Sequence, residues 1–93
     1  MGHVAETLRR KLTDAYQPLR LDIVDESARH QGHAGARPEG ETHFRVVIVS
    51  DRFAARSRVE RQRMVYETLA DELRTHVHAL SLATLAPEEE AER

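Results

Sequence analysis

Apolar residues recur at three- and four-residue spacings near the start of the chain: Val4, Leu8 and Leu12, joined by Ala5, Ala15 and Tyr16. A helix over 3–16 collects them on one face. Pro18 ends it, because the residue before a proline is pushed out of helical geometry. The period then drops to two. LRLDIVD (19–25) sets Leu19, Leu21 and Ile23 against Arg20 and Asp22, the alternation of a half-buried strand. FRVVIVS (44–50), entered from His43, is β-branched and nearly all apolar, as a central strand should be. Between the two strands ARHQGHAGARPEGETH (28–43) is Gly, Ala, Pro and charge, and reads as a long loop.

DRFAA (51–55) reads as one helical turn. Ser57 followed by Glu60 is a capping box, which satisfies two orphan amide donors at a helix start. From there to about Arg74, Val59, Val65, Tyr66, Leu69, Ala70 and Leu73 share one face. Met64 lies off that stripe and reads as a singly exposed apolar residue. VHALSLATL (77–85) alternates again as a third strand, and Pro87 with Glu88, Glu89 and Glu90 reads as the start of a disordered acidic tail. The expected organisation is one domain over 1–86 and a tail over 87–93.

The order helix, strand, strand, helix, strand decides the topology. Strands two and three are joined through a helix, so a right-handed crossover leaves them parallel. Strands one and two are joined by a loop and pair antiparallel. The expected fold is α+β, a two-layer sandwich with a three-stranded mixed sheet and both helices on one face.

Charge narrows the partners only slightly. The formal net charge is −2, but without PEEEAER 13 basic and 12 acidic side chains remain. A near-neutral body has no global field to gather nucleic acid, so any basic surface is local. There is no cysteine, which excludes disulfides and a self-contained Cys-ligated zinc or iron–sulfur site. No apolar run approaches the ~20 residues of a membrane span and the first residues lack a signal peptide's apolar stretch, so a cytoplasmic protein is expected. Asp25, Ser27 and the loop histidines invite a triad, yet nothing resembles a nucleophile elbow, and an enzyme is not expected.

Topology also places the histidines. His43 begins the second strand, His78 begins the third, and the loop bearing His30 and His33 leads into the second. With His76 nearby, five of six histidines gather at one end of the sheet. Imidazole suits zinc, copper and iron, and two histidines can replace two thiolates on one iron of a [2Fe–2S] centre. The plainer reading is solvated loop residues, His43 at a strand edge and His78 half-buried on the side of Leu80 and Leu82. Spacing alone favours the plainer reading, because no pair matches a known ligand interval.

Glu26-Ser27, ETHFRVVIVSDRF (41–53), SRVERQRMVYETLADEL (57–73) and VHALSL (77–82), in that order, resemble the BolA family over nearly the whole chain except the tail. The resemblance implies a class II KH-like fold, in agreement with the element order. It implies a monothiol glutaredoxin as partner in a heterodimer, the two chains sharing a glutathione-ligated [2Fe–2S] cluster. It further implies that His78, in VHAL, is a ligand and that the variable loop supplies a second. Counting forward from Glu26-Ser27 the second is His30; counting back from Thr42-His43-Phe44 it falls nearer His33, with His43 a bystander. The isolated chain is then expected to carry no cluster and to be a monomer or weak homodimer.

The family also includes proteins described as transcriptional regulators. DRFAARSRVERQR holds Arg52, Arg56, Arg58, Arg61 and Arg63 near a helix start, where arginines and orphan amides favour phosphate. Arg58 and Arg61 are expected on one exposed face. Against this reading, Asp51, Glu60 and Glu67 intersperse the arginines. The one GxxG segment, Gly32-His33-Ala34-Gly35, lies between strands and not between helices as a KH clamp requires.

Overall fold

The computed structural model describes residues 2–27 and 42–91. Helix α1, His3–Tyr16, buries Val4, Ala5, Leu8, Leu12 and Tyr16 along the expected stripe. It ends at Gln17, whose left-handed backbone (φ 45°) lets its N–H reach the Thr13 carbonyl at 2.9 Å just before Pro18. Strand β1 runs Arg20–Asp25, β2 His43–Val49 and β3 Ala79–Leu85. The sheet order is β1-β2-β3, with β1 antiparallel and β3 parallel to β2. This is the three-stranded mixed sheet of an α+β fold that the element order predicts.

Phe44, Val46 and Ile48 of β2 point into the core and are at most 2% exposed, while Arg45 on the opposite face is exposed. Leu21 and Ile23 flank them from β1, Leu80 and Leu82 from β3. Leu19 does not join them. It precedes the strand and is 69% exposed, so the alternation starts one residue later than expected.

A single 3₁₀ turn, Asp51–Phe53, follows β2 and seats Phe53 against Tyr16 with ring centroids 5.1 Å apart. Helix α2 then runs Arg58–Thr68 and α3 Ala70–Thr75. The capping box is present: Glu60 N–H donates to Ser57 Oγ at 3.1 Å, and Ser57 N–H to Glu60 Oε1 at 2.8 Å. The Ser57 backbone and hydroxyl hydrogen bonds hold the Glu60 carboxyl below its usual range.

Two features of this region correct the sequence expectation. The long helix is interrupted at Leu69 (φ −104°, ψ 19°), one residue after Thr68 turns its hydroxyl back onto the Met64 carbonyl at 2.9 Å. Such back-bonding bends helices, and Tyr16 Oη, 2.9 Å from the same hydroxyl, ties the bend to α1. The buried face is also rotated. Val59 and Tyr66 are 60% and 39% exposed, whereas Arg61, Val65 and Leu69 are buried and Met64 packs half-buried on the core. These are the i, i+3, i+4 and i+8 positions counted from Arg61.

The expected disordered tail is also different. Pro87–Ala91 form a short helix, α4, because its glutamates have partners: Glu89 meets Arg61 and Glu90 meets Arg20, each at 2.6 Å. Ala86, just before it, is buried. No helix among the described residues is long and apolar enough to cross a membrane.

Candidate functional site

The histidine end of the sheet is built on two small buried residues. Ser27 Oγ accepts the backbone N–H of Thr42 at 2.8 Å and of His43 at 3.1 Å. Ser27 N–H in turn donates to Asp25 Oδ1 at 2.9 Å. The chain leaving β1 is thus clamped to the chain entering β2. Thr42, fully buried, spreads this anchorage further. Its hydroxyl lies 2.8 Å from His43 Nδ1, and its carbonyl accepts the N–H of His78 at 2.7 Å and of Ala79 at 3.2 Å.

One residue therefore positions both histidines, His43 through its ring and His78 through its backbone. Their rings are nearly parallel, with planes 10° apart and centroids 6.3 Å apart. The gathering predicted from topology holds for this pair. His78 itself is exposed, not half-buried as its parity with Leu80 and Leu82 implied, since β3 begins only at Ala79. His76 closes α3 on the surface with Nδ1 2.7 Å from Thr75 Oγ1. His30 and His33 lie outside the described residues. Among the described residues no group of three or more His, Asp or Glu is placed to hold a metal ion.

The arginine segment divides into two parts. Arg52, Arg56, Arg58 and Arg63 are exposed around the start of α2. Arg61 is not, which corrects the expectation of an exposed face shared with Arg58. Its residue is 7% exposed and its guanidinium is committed internally: Nε to the Arg56 carbonyl at 3.0 Å, one Nη to the Thr84 carbonyl at 3.2 Å, both Nη to Glu89 at 2.6 and 3.3 Å. The Arg61 hydrogen bonds, with the Ala86 N–H, hold the Glu89 carboxyl below its usual range. Sequence reading misses this because a charged residue is counted as outward. The available signal was that Arg61, Val65 and Leu69 fall at four-residue intervals.

An antiparallel–parallel three-stranded sheet packed against helices, with His43 and His78 where the parallel pair begins, defines a small α+β domain. The chain belongs to the BolA-like protein family, whose profile matches residues 12–89. It is 51% identical over 81 residues to the DNA-binding transcriptional regulator BolA of Escherichia coli strain K12, a match covering 87% of this chain and 73% of that protein. Its fold superposes on the BolA domain of SufE1 from Arabidopsis thaliana with a TM-score of 0.86 at 40% identity, covering 96% of this chain and 98% of that one. The solution structure of mouse BolA1 is similar too, with a TM-score of 0.81 at 36% identity over 99% of this chain and 72% of the other. These relatives carry the names of regulators or BolA-like proteins.

Proposed function

We propose that this chain serves in iron–sulfur handling or iron regulation, contributing imidazole to a [2Fe–2S] cluster shared with a monothiol glutaredoxin and glutathione. The observation that carries the reading is the exposed His78, its backbone pinned by the Thr42 carbonyl at the start of β3. It stands where the segment bearing His30 and His33 rejoins the sheet. In a chain without cysteine, thiolates come from the partner and glutathione. His78 supplies one imidazole, and His30 or His33 the other. Histidine in place of thiolate raises a cluster's potential, which is the chemistry this chain would add. Ser27 and Thr42 hold the His78 backbone in place before any cluster arrives, so little ordering is required on association.

Mixing the apo chain with cluster-loaded glutaredoxin is expected to change the visible circular dichroism. His78→Ala, at an exposed position, should fold normally and weaken that change at least about tenfold, as loss of a ligand should cost no less than loss of a residue supporting one. An unchanged spectrum with the native chain would sink the proposal. Single His30→Ala and His33→Ala variants then separate the two candidate loop ligands.

A second reading is DNA binding, supported by the exposed Arg52, Arg56, Arg58 and Arg63 and by the name of the Escherichia coli relative. Phosphate contacts predict affinity that falls linearly in log salt, with a slope reduced by about one on removing one contacting arginine. Titration of duplex DNA with Arg58→Ala measures this. Arg61 is left out of the contact set, since its guanidinium is used inside the fold.

A further inference from the structure

Strand β3 begins at the histidines and ends, six residues and about 20 Å further on, at a second concentration of charge. A groove of about 510 Å³ runs there between α2 and the outer edge of the sheet. Its walls hold Arg58, Arg61, Gln62, Thr84 and Glu89. An outer strand presents unpaired backbone groups, and here α2 caps two of them. Gln62 Nε2 donates to the Leu82 carbonyl at 3.2 Å, and Arg61 to the Thr84 carbonyl at 3.2 Å.

Arg61 does more than cap. Its side chain is 9% exposed, yet two of its nitrogens face a carboxylate in a forked pair, the geometry by which arginine recognises carboxylates. That carboxylate, Glu89, belongs to a five-residue helix following the strand, so the group is bound in cis. The same wall contains Thr84, 6% exposed, whose hydroxyl is the one buried side-chain polar atom without a hydrogen-bond partner among the described residues. A buried hydroxyl left unpaired is destabilising, and such groups are rare in folded proteins. Arg58, on the exposed rim, adds a second positive charge that acts on Glu89.

We infer that this groove is a carboxylate-binding site for a glutamate-bearing peptide segment of a partner protein, anchored by Arg61, with Glu89 its resident occupant in cis. The partner's carboxylate takes the fork that Glu89 vacates, Arg58 contributes at the rim, and the Thr84 hydroxyl gains a partner from the incoming chain. The chain's own Pro87-Glu88-Glu89-Glu90 segment defines the ligand class, since it is what the site already holds. The surface lies at the far end of β3 from His78 and does not depend on the cluster reading.

The test uses ¹⁵N-labelled full-length chain and a capped peptide of sequence PEEEAER, following the Arg61 Nε–H and the Gln62 side-chain amide. A tethered carboxylate competes at an effective concentration of roughly millimolar or above. Glu89→Ala is therefore expected to bind the peptide saturably, at least tenfold more tightly than the native chain. Glu89→Gln, which keeps an acceptor for the Ala86 N–H, should fall between them and guards against a folding defect in the alanine variant. A peptide of sequence PQQQAQR should not bind either variant. The inference is overturned by an absence of saturable shifts in both Glu89 variants, by equal affinity in native chain and variants, or by binding that survives the Glu-to-Gln peptide.

Discussion

Phe44→Ala is expected to remove about 3–5 kcal/mol of stability, the range for truncating a buried phenylalanine in a packed core. Phe44 is 2% exposed and is the core residue adjacent to His43. It belongs to a buried cluster shared by α1, β2 and α2, so closing the cavity means shifting packed elements against one another. Against a total of about 5–15 kcal/mol for a domain, this is a large fraction. Thermal unfolding followed by far-ultraviolet circular dichroism should show a midpoint lowered by at least about 12 °C. A fall of only one or two degrees would contradict the packing described for β2.

Arg61→Ala is the second large effect, and its size separates two views of that side chain. If Arg61 were a solvated surface arginine, its loss would change stability by less than about 0.5 kcal/mol. With the Thr84 carbonyl left buried without its donor and the stem's packing removed, the expected cost is about 2–4 kcal/mol. Glu89→Ala should cost less, because it removes a 40% exposed carboxylate and leaves the Ala86 N–H and a guanidinium that keeps two carbonyl partners. Urea denaturation of the two variants beside the native chain measures the difference. Equal losses would mean that the ion pair, not the carbonyl capping, holds this corner.

The elements that sequence foretold are those whose burial has a clean period. α1 kept every apolar residue of its stripe except Ala15 buried, and the nearly all-apolar run over 44–50 is the central strand. Strand directions followed from connection types alone. What escaped was polar burial. Arg61 on an inward face and Glu89 and Glu90 holding α4 depend on partners distant in sequence, which no local pattern encodes, and Thr68 bends its helix through a bond to Met64 that an apolar period does not register. At the histidine end, the closeness of His43 and His78 was legible from topology. The anchorage by Ser27 and Thr42 was not, since small hydroxyl residues beside a glycine-rich stretch look like ordinary loop composition.

That anchorage has a consequence for remodelling the molecule. Because Ser27 Oγ grips both Thr42 and His43 through their amides, the two ends of the intervening segment are fixed whatever lies between them. The spacing of His43 and His78 is set by the Thr42 carbonyl and the parallel register, not by residues 28–41. Closing a segment twice as long would cost only about 0.6 kcal/mol more. A segment of different length or composition spliced between Ser27 and Thr42 is therefore expected to leave the placing of His43 beside His78 unchanged.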